Sequence, residues 1–379
     1  MRLLFHTNSP TTNSGYGKMA ALFIPRIASA GHDIAAIASP FSFGGSPITW
    51  RDIPILGTAR DIAGNDIILR NHEYFGADLT VTLCDPFALV RAAKELSQIN
   101  LASWTPVDCR PAGYGDITFL RESGAVPIAM SIFGRDALED EGCEPLLVPH
   151  AFDPDIYRPG PRDYRATLPG VTDDTFVIGL VAMNRDPNRK GFFEQFAAFS
   201  RFHARHPDSF LAVHSSAGGG KGLNLHGMAC QLGISTAVGF PDGYSYDLGL
   251  ITEEQMAAWY NGIDVLSLCS YGEGFGLPLI EAQACGTPVI TTDASAMTEL
   301  CGAGYLVSGT PFWSDGHTSM WTRPDISDID MAYEAAFNAW LDNTLPRKPA
   351  VDFAAQFAVD RVFGEHWVPA LAALEEMLA

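Results

Sequence analysis

The run from Ile263 to Thr292 restricts the fold of this chain more than any other. Residues 263–268 are mostly apolar and lack the regular polar alternation of a half-exposed strand, a pattern that suits a strand covered on both faces. They lead into Ser270-Tyr-Gly-Glu-Gly-Phe-Gly-Leu-Pro-Leu-Ile-Glu-Ala-Gln-Ala-Cys-Gly-Thr-Pro-Val-Ile-Thr-Thr292. Pro278 suits the first turn of a helix, Gly286 and Pro288 close it, and a second β-branched run follows. Strand, loop, short helix, strand is the unit of a parallel α/β sheet, and it makes the loop a ligand-facing turn.

A helix opening near Pro278 aims its unpaired first-turn N–H groups and the positive end of its dipole at the loop around Gly274 and Gly276. Missing side chains there let an anion reach the backbone, and a phosphate fits. Glu273 stands before the loop and Glu281 in the first helical turn. Ionised carboxylates only accept hydrogen bonds, so both suit the hydroxyls of a sugar or a ribose and repel phosphate. A plainer reading stays open at this level: Glu281 merely favours a helix N-terminus, and Glu273 is a solvated loop residue.

The spacing Glu-x7-Glu within Ser-Tyr-Gly-Glu-Gly-Phe-Gly-Leu-Pro-Leu-Ile-Glu-Ala, followed by Cys-Gly-Thr-Pro-Val-Ile, resembles the donor-site signature of glycosyltransferase family 4, the glycosyl transferases group 1. The resemblance implies an α/β chain of the GT-B fold, with two Rossmann-like doubly wound parallel-sheet domains facing across a cleft. It also implies that Glu281 holds the nucleotide ribose and Glu273 lies against the donor sugar, with Gly274, Phe275, Gly276 and Leu277 beside them.

A length of 379 residues suffices for two domains with separate cores. The chain carries 24 Lys and Arg against 44 Asp and Glu, a formal net charge of -20; residues 1–150 hold 11 against 16, and residues 151–379 hold 13 against 28. Such a charge repels nucleic acid and anionic lipid at long range and argues against tight nonspecific DNA binding. The seven cysteines show no CxxC and no metal spacing, and read as small buried residues or free thiols of a reducing compartment. The first apolar run is too short for a signal peptide and no stretch approaches a membrane span, so a cytoplasmic protein is expected.

Residues 3–5 read as a strand, 18–30 as an amphipathic helix ended by Gly31, and 33–39 as a second strand, a βαβ opening. Gly15 and Gly17 precede that helix, and their position resembles the glycine-rich first loop of family 4, which implies donor contact there. Lys18 reads as a solvated first-turn lysine. Strands at 79–83 and 101–104 end in loops carrying Asp85 and Asp108. Asp108, in Ser-Trp-Thr-Pro-Val-Asp-Cys-Arg-Pro, resembles an acceptor-facing aspartate of some family members; it reads equally well as a turn cap before Pro111. The histidine that members often carry at this cleft edge has no convincing equivalent here. His150 reads as structural, and Asp153 and Asp155 as turn residues in preference to metal ligands. The Pro- and Gly-rich, charged stretch 159–175 marks a boundary. An N-terminal acceptor domain is therefore expected at 1–158, with the last helix, about 360–379, returning to it, and a donor domain at 159–359.

A buried strand at 176–181 feeds Ala-Met-Asn-Arg-Asp-Pro-Asn-Arg-Lys-Gly and a helix at 192–206. Strand, basic loop, helix suits a diphosphate, because arginine supplies a planar fork and lysine a point charge over a helix N-terminus. A solvated basic turn is the rival reading. The resemblance implies that Arg185 and Lys190 hold the donor phosphates, with Arg189 beside them. Phe192, Phe193, Phe196 and Phe199 have helical spacing and read as core. The glycine-rich 215–221 reads as a lid or a surface connection, Thr252-Glu-Glu-Gln as a helix cap, and the stretch after Val307 with Trp313, His317 and Trp321 as irregular. Residues 325–340 and 353–378 read as helices, with Trp367, Leu371, Leu374 and Leu378 on the buried face of the last.

These readings lead to a retaining, hexosyltransferase-type enzyme that moves a sugar from a nucleoside diphosphate sugar to an acceptor hydroxyl without metal or other cofactor. Glu273, Arg185, Lys190 and Asp108 are its expected catalytic residues. The acceptor is a protein, a small polyol or a modified DNA base. The last enters because Phe-His-Thr-Asn-Ser-Pro with Gly-Tyr-Gly is similar to phage-encoded members of the family, and overall charge favours the first two. The alternatives are a catalytically degenerate GT-B module that only binds nucleotide and a nucleotide-sugar epimerase on the same fold. Intact Glu273, Glu281, Arg185 and Lys190 argue against the former, and the Gly-Phe-Gly-Leu-Pro form of the motif against the latter.

Overall fold

The computed structural model describes residues 1–38, 48–57, 60–185, 189–218 and 222–378. The chain forms two compact units: Met1–Ala151 with Trp313–Met320 and Phe357–Ala379, and Phe152–Phe312 with Trp321–Gln356. The change of unit comes before the Pro- and Gly-rich stretch because Phe152 and Tyr157 are already core residues of the second unit. Tyr157 lies 6.5 Å from Phe152 and 6.1 Å from Tyr260, ring centre to ring centre.

The first unit is built on eight strands: β1 (Arg2–Thr7), β2 (Asp33–Ala38), β3 (Ile48–Trp50), β4 (Ile53–Leu56), β5 (Leu79–Thr82), β6 (Leu101–Thr105), β7 (Val126–Ala129) and β8 (Leu146–Leu147). Their order is β3-β4-β2-β1-β5-β6-β7-β8, and only β3 runs antiparallel to its neighbour. The strands β5 and β6 are buried throughout, although β5 alternates as Leu-Thr-Val-Thr; its threonines are satisfied inside, Thr82 Oγ1 donating to Ser103 Oγ at 3.1 Å and Thr80 Oγ1 lying 2.9 Å from His72 Nδ1. The first helix, Gly15–Ser29, begins earlier than its apolar spacing shows, because Ser14 caps it: the Ser14 hydroxyl accepts from Gly17 N at 3.1 Å and is held by Asn8 at 2.8 Å. Phe23, Trp104 and Trp367 form an aromatic cluster, with ring centres 5.7 Å apart for Phe23–Trp104 and 5.0 Å for Trp104–Trp367. The region read as one helix from 353 is broken into Arg347–Ala354, Val359–Val362, a π-turn Phe363–Trp367 and Val368–Leu378.

In the second unit, β9 (Phe176–Val181), β10 (Ser209–His214), β11 (Val238–Gly239), β12 (Val265–Leu268), β13 (Val289–Thr292) and β14 (Gly304–Val307) form an all-parallel sheet in the order β11-β10-β9-β12-β13-β14. Phe192, Phe196 and Phe199 of the helix Phe192–Arg205 are fully buried against this sheet, beside Tyr333 of the helix Ile326–Leu341. Phe193 corrects the expectation for its series: it is 51% exposed, because one helical step of about 100° carries it off the buried face. The stretch after Val307 is not irregular. It is a hairpin of β15 (Gly309–Ser314) and β16 (Ser319–Pro324), disguised in sequence by Pro311, which a two-stranded ribbon tolerates. Residues 313–320 of this hairpin belong to the first unit and its remainder to the second.

Candidate active site

In the second sheet β9 stands beside β12, with the chain proceeding outward to β10 on one side and to β13 on the other. Loops leaving the carboxyl ends of such a pair diverge, and ligands of open α/β sheets bind in the crevice they leave. The two loops here are 182–191, carrying the cations, and 269–276, carrying Glu273. Gly191 joins them: at φ 59° it adopts a left-handed conformation, and a Cβ on it would lie 2.2 Å from the Cys269 carbonyl oxygen. Gln195, buried one turn into the helix, fixes the same junction. Its Nε2 donates to the carbonyls of Lys190 (3.0 Å) and Gly191 (3.2 Å), and its Oε1 accepts from Ser267 Oγ (2.8 Å) and Cys269 N (3.2 Å). Tyr271 N adds a 2.7 Å bond to the Arg189 carbonyl.

On this frame Lys190 Nζ donates to Glu273 Oε1 at 2.6 Å, Ser270 Oγ donates to the same oxygen at 2.6 Å, and Arg189 Nη1 lies 3.4 Å from Oε2. Ser295 Oγ accepts from Glu273 N at 3.0 Å. Burial pushes the Glu273 carboxyl up, but Lys190, then Arg189, and the hydrogen bonds from Lys190 and Ser270 bring it down to about 2. The carboxylate is therefore ionised and accepts only. Ser295 holds φ 52°, a left-handed conformation that a non-glycine residue rarely adopts, directly at the site.

The helix that follows opens at Leu277, with Gly276 as its cap, Pro278 in its first turn, no capping side chain and no acid in that turn. Glu281 thus sits one turn further in than the sequence reading placed it. It is buried, and Tyr260 Oη donates to its Oε2 at 2.8 Å. Burial first, and the Glu281 charge next, raise the Tyr260 hydroxyl, which keeps its proton and stays a donor. Gly274 and Phe275 are buried in the loop. The first-turn N–H groups, the dipole's positive end and the two cations together suit a diphosphate, while Glu273 and Glu281 suit hydroxyl groups.

Arg185 stands apart from this cluster: it is exposed, and its charge acts on the hydroxyl of Tyr246, whose ring centre lies 5.3 Å from that of His214. Residues 186–188 of the basic loop and 219–221 of the glycine-rich loop read as a lid lie outside the described residues.

In the first unit, Gly15 is the exposed first residue of its helix and Gly17 is buried, where a Cβ would come within 2.3 Å of the Thr12 carbonyl. Tyr16 Oη donates to Asp85 Oδ1 at 2.9 Å. Asp108, half-buried after β6, contributes its charge to Asp116. That carboxyl is raised to about 7 by burial first and then by Asp108 and Asp85, against one hydrogen bond from Phe87 N at 3.0 Å. His150 is buried with its ring 5.0 Å from that of Trp104, and burial lowers its imidazole to about 3.

Sequence reasoning assigned no role to Ser270, Gln195, Tyr260, Ser295 or Asp116. Gln195 had a signal: it is a polar residue between Phe192 and Phe196 at the spacing of the buried face. Ser270 lies three residues from Glu273 in the same turn, and Tyr260, Ser295 and Asp116 are joined to their partners only by folding.

Residues 174–315 match the family model described as "Glycosyl transferases group 1". The chain is 29% identical over 233 residues to a D-inositol 3-phosphate glycosyltransferase of Pseudarthrobacter chlorophenolicus, covering 59% of this chain and 53% of that protein. To the enzyme of the same name from Corynebacterium jeikeium it is 36% identical over 160 residues, 40% of this chain and 36% of that one. The chain thus spans about half or less of the length of these relatives. In structure it is similar to sucrose-phosphate synthase (tll1590) from Thermosynechococcus elongatus, with a TM-score of 0.76 at 17% identity over 98% of this chain and 100% of that one. It is also similar to Anabaena Alr3699/HepE in complex with UDP-glucose, with a TM-score of 0.74 at 17% identity over the same shares. At such identity these structures establish the fold, two doubly wound α/β units of the GT-B kind. The stretch that carries Glu273, residues 174–315, thus matches the glycosyl transferases group 1 family within a chain of that fold.

Proposed function

We propose that this chain is a retaining glycosyltransferase that moves a sugar from a nucleoside diphosphate sugar to an acceptor hydroxyl without a metal ion. The observation that carries the reading is the ionised Glu273 held by Lys190 and Arg189 beside the uncapped helix Leu277–Ala284 at the switch point of the second sheet. An ammonium has three donors, so Lys190 bonds Glu273 and still reaches a phosphate oxygen. Arg189, Lys190 and the helix end would then stabilise negative charge growing on the departing diphosphate, a contribution worth several kcal/mol. Glu273 would orient donor-sugar hydroxyls and Glu281 the ribose. With retention by attack on the same face, the leaving phosphate takes the acceptor proton, and no side chain need serve as base.

The acceptor we assign to the first unit, beside Asp108. The charges of Asp85 and Asp108 both act on Asp116 there, which favours a neutral hydroxyl of a polyol or protein over a polyanion such as DNA. The relatives named for D-inositol 3-phosphate make inositol and its phosphate the first acceptors to compare.

The test is nucleoside diphosphate release from a panel of UDP-, GDP-, dTDP- and ADP-sugars, with the native protein, Lys190→Ala and Glu281→Ala. Release from one donor, reduced at least about 100-fold in Lys190→Ala, is the expected result. If no donor turns over and none binds, the transferase reading fails and the inert nucleotide module takes its place.

A further inference from the structure

A second charged cluster lies at the opposite end of β12. Asp264, the residue before that strand, is fully buried, and three guanidinium groups converge on its carboxylate. Arg165 Nη1 is 3.1 Å from Oδ2, Arg347 Nη2 is 3.4 Å from Oδ1, and Arg162 Nη2 bonds the same Oδ1. Val177 N also donates to Oδ2, at 2.9 Å. Among the described residues no other carboxylate forms a salt bridge with any of the three arginines. One negative charge therefore faces three positive ones, in a chain whose net charge is -20.

The packing of the second unit accounts for only one of these arginines. Arg165 is 5% exposed and ties the segment before β9 to the start of β12, donating to the carbonyls of Gly262 (3.2 Å), Thr172 (2.8 Å) and Thr175. Arg162 and Arg347 instead keep 39% and 38% of their side chains exposed, and their backbone partners are distant: Ile263 O at 3.5 Å and Gly286 O at 3.4 Å. Each guanidinium has five N–H donors, so several remain open on both. Two further features point the same way. Arg347 opens the helix Arg347–Ala354, whose amino end has no capping side chain and adds its dipole. Arg165 Nε is buried without a hydrogen-bond partner. Burial and the neighbouring Arg162 charge hold the Arg347 guanidinium below its ordinary range, with Asp264 offsetting only part of this.

We propose that Arg162, Arg347 and the amino end of the helix Arg347–Ala354 form a binding site for a phosphate-type oxyanion. An anion there satisfies the two half-exposed guanidiniums and leaves Asp264 to Arg165. It binds the folded unit only, and so raises its stability by mass action.

Thermal unfolding of the full chain carrying Lys190→Ala tests this, since that change weakens phosphate binding at the donor site. Inorganic phosphate is titrated against sodium chloride at equal ionic strength. The expected result is a saturable rise of the unfolding midpoint with phosphate and none with chloride. Adding Arg162→Gln, which leaves Arg165 and Arg347 on Asp264, raises the half-saturating phosphate concentration by about tenfold or more. Arg347→Gln, where it folds, does the same. No rise in the parent, or an unchanged phosphate response in Arg162→Gln, overturns the site.

Discussion

Burial opposes ionisation of Glu273, yet Lys190 and Arg189 carry its carboxyl down to about 2, well below the roughly 4.3 of an unfolded chain. The preference of the ionised form for the fold is complete above that unfolded value and is lost as pH falls through about 2. Over this window it amounts to something on the order of 3 kcal/mol. Urea unfolding between about pH 5 and about pH 2.5 should accordingly lose stability more steeply in the native chain than in Glu273→Gln; parallel slopes would mean that the ion pair contributes nothing. Asp116 titrates in the opposite sense. Burial raises its carboxyl to about 7, so the stability it supplies is complete below about pH 4 and is lost as pH rises through 7. Phe87 N can still donate to an amide oxygen at this place. Asp116→Asn should match the native protein near pH 4 and exceed it in stability at pH 8, measured by urea midpoints. Equal stability at both pH values would contradict the raised carboxyl.

At the scale of elements, the site depends on two loops held against each other by backbone and by one buried amide. Gly191 has φ 59° and no room for a Cβ beside Cys269, so Gly191→Ala must displace the loop that carries Arg189 and Lys190. The backbone strain costs about 1–3 kcal/mol. A displacement of about 1 Å at Lys190 should lower donor turnover by roughly 100-fold, far more than the stability change alone would cause. Comparing turnover with the urea midpoint of the same variant checks this, and a loss of stability with unchanged turnover would release Gly191 from the site. The hairpin of β15 and β16 is tied to the same loop. Thr322 N donates to the Tyr271 carbonyl at 3.1 Å, Tyr271 Oη donates to Glu194 at 2.7 Å, and the Arg323 guanidinium lies 5.7 Å from the Tyr271 ring centre.

At the scale of the whole molecule, both sheets end in short strands: β8 and β11 have two residues each, which limits strand addition at those edges. The last segment, 357–379, belongs to the first unit, and Trp367 is its anchor, fully buried 6.2 Å from Phe5 and 5.8 Å from Phe23. Trp367→Ala should cost about 3–5 kcal/mol through the cavity it leaves. Hydrogen exchange of the β1 and β6 amides should speed up accordingly; unchanged protection there would show that the segment is not part of that core. Among the described residues no helix is long and apolar enough to cross a membrane.

The parallel α/β architecture, the basic loop before the helix Phe192–Arg205, and the turn from Ser270 to Thr292 are legible in the order of the residues alone. Each is written in neighbouring residues: apolar runs without polar alternation mark buried parallel strands, and Gly276, Pro278 and Gly286 punctuate the chain locally. Which charges meet is set by the packing of strands and loops. Arg189 and Lys190 reach Glu273 across more than eighty residues, while the charge of Arg185, in the same loop, acts on the Tyr246 hydroxyl. The clamp by Gln195, the cap on Glu281 by Tyr260, and the raised carboxyl of Asp116 likewise arise from strands placed side by side. So does the assignment of 313–320 to the first unit, whereas the return of the last helix to that unit is what the family resemblance implies. The physical reason is common to all of these. A charge or amide takes its energy from the partners and the dielectric around it, and those come from residues distant in sequence.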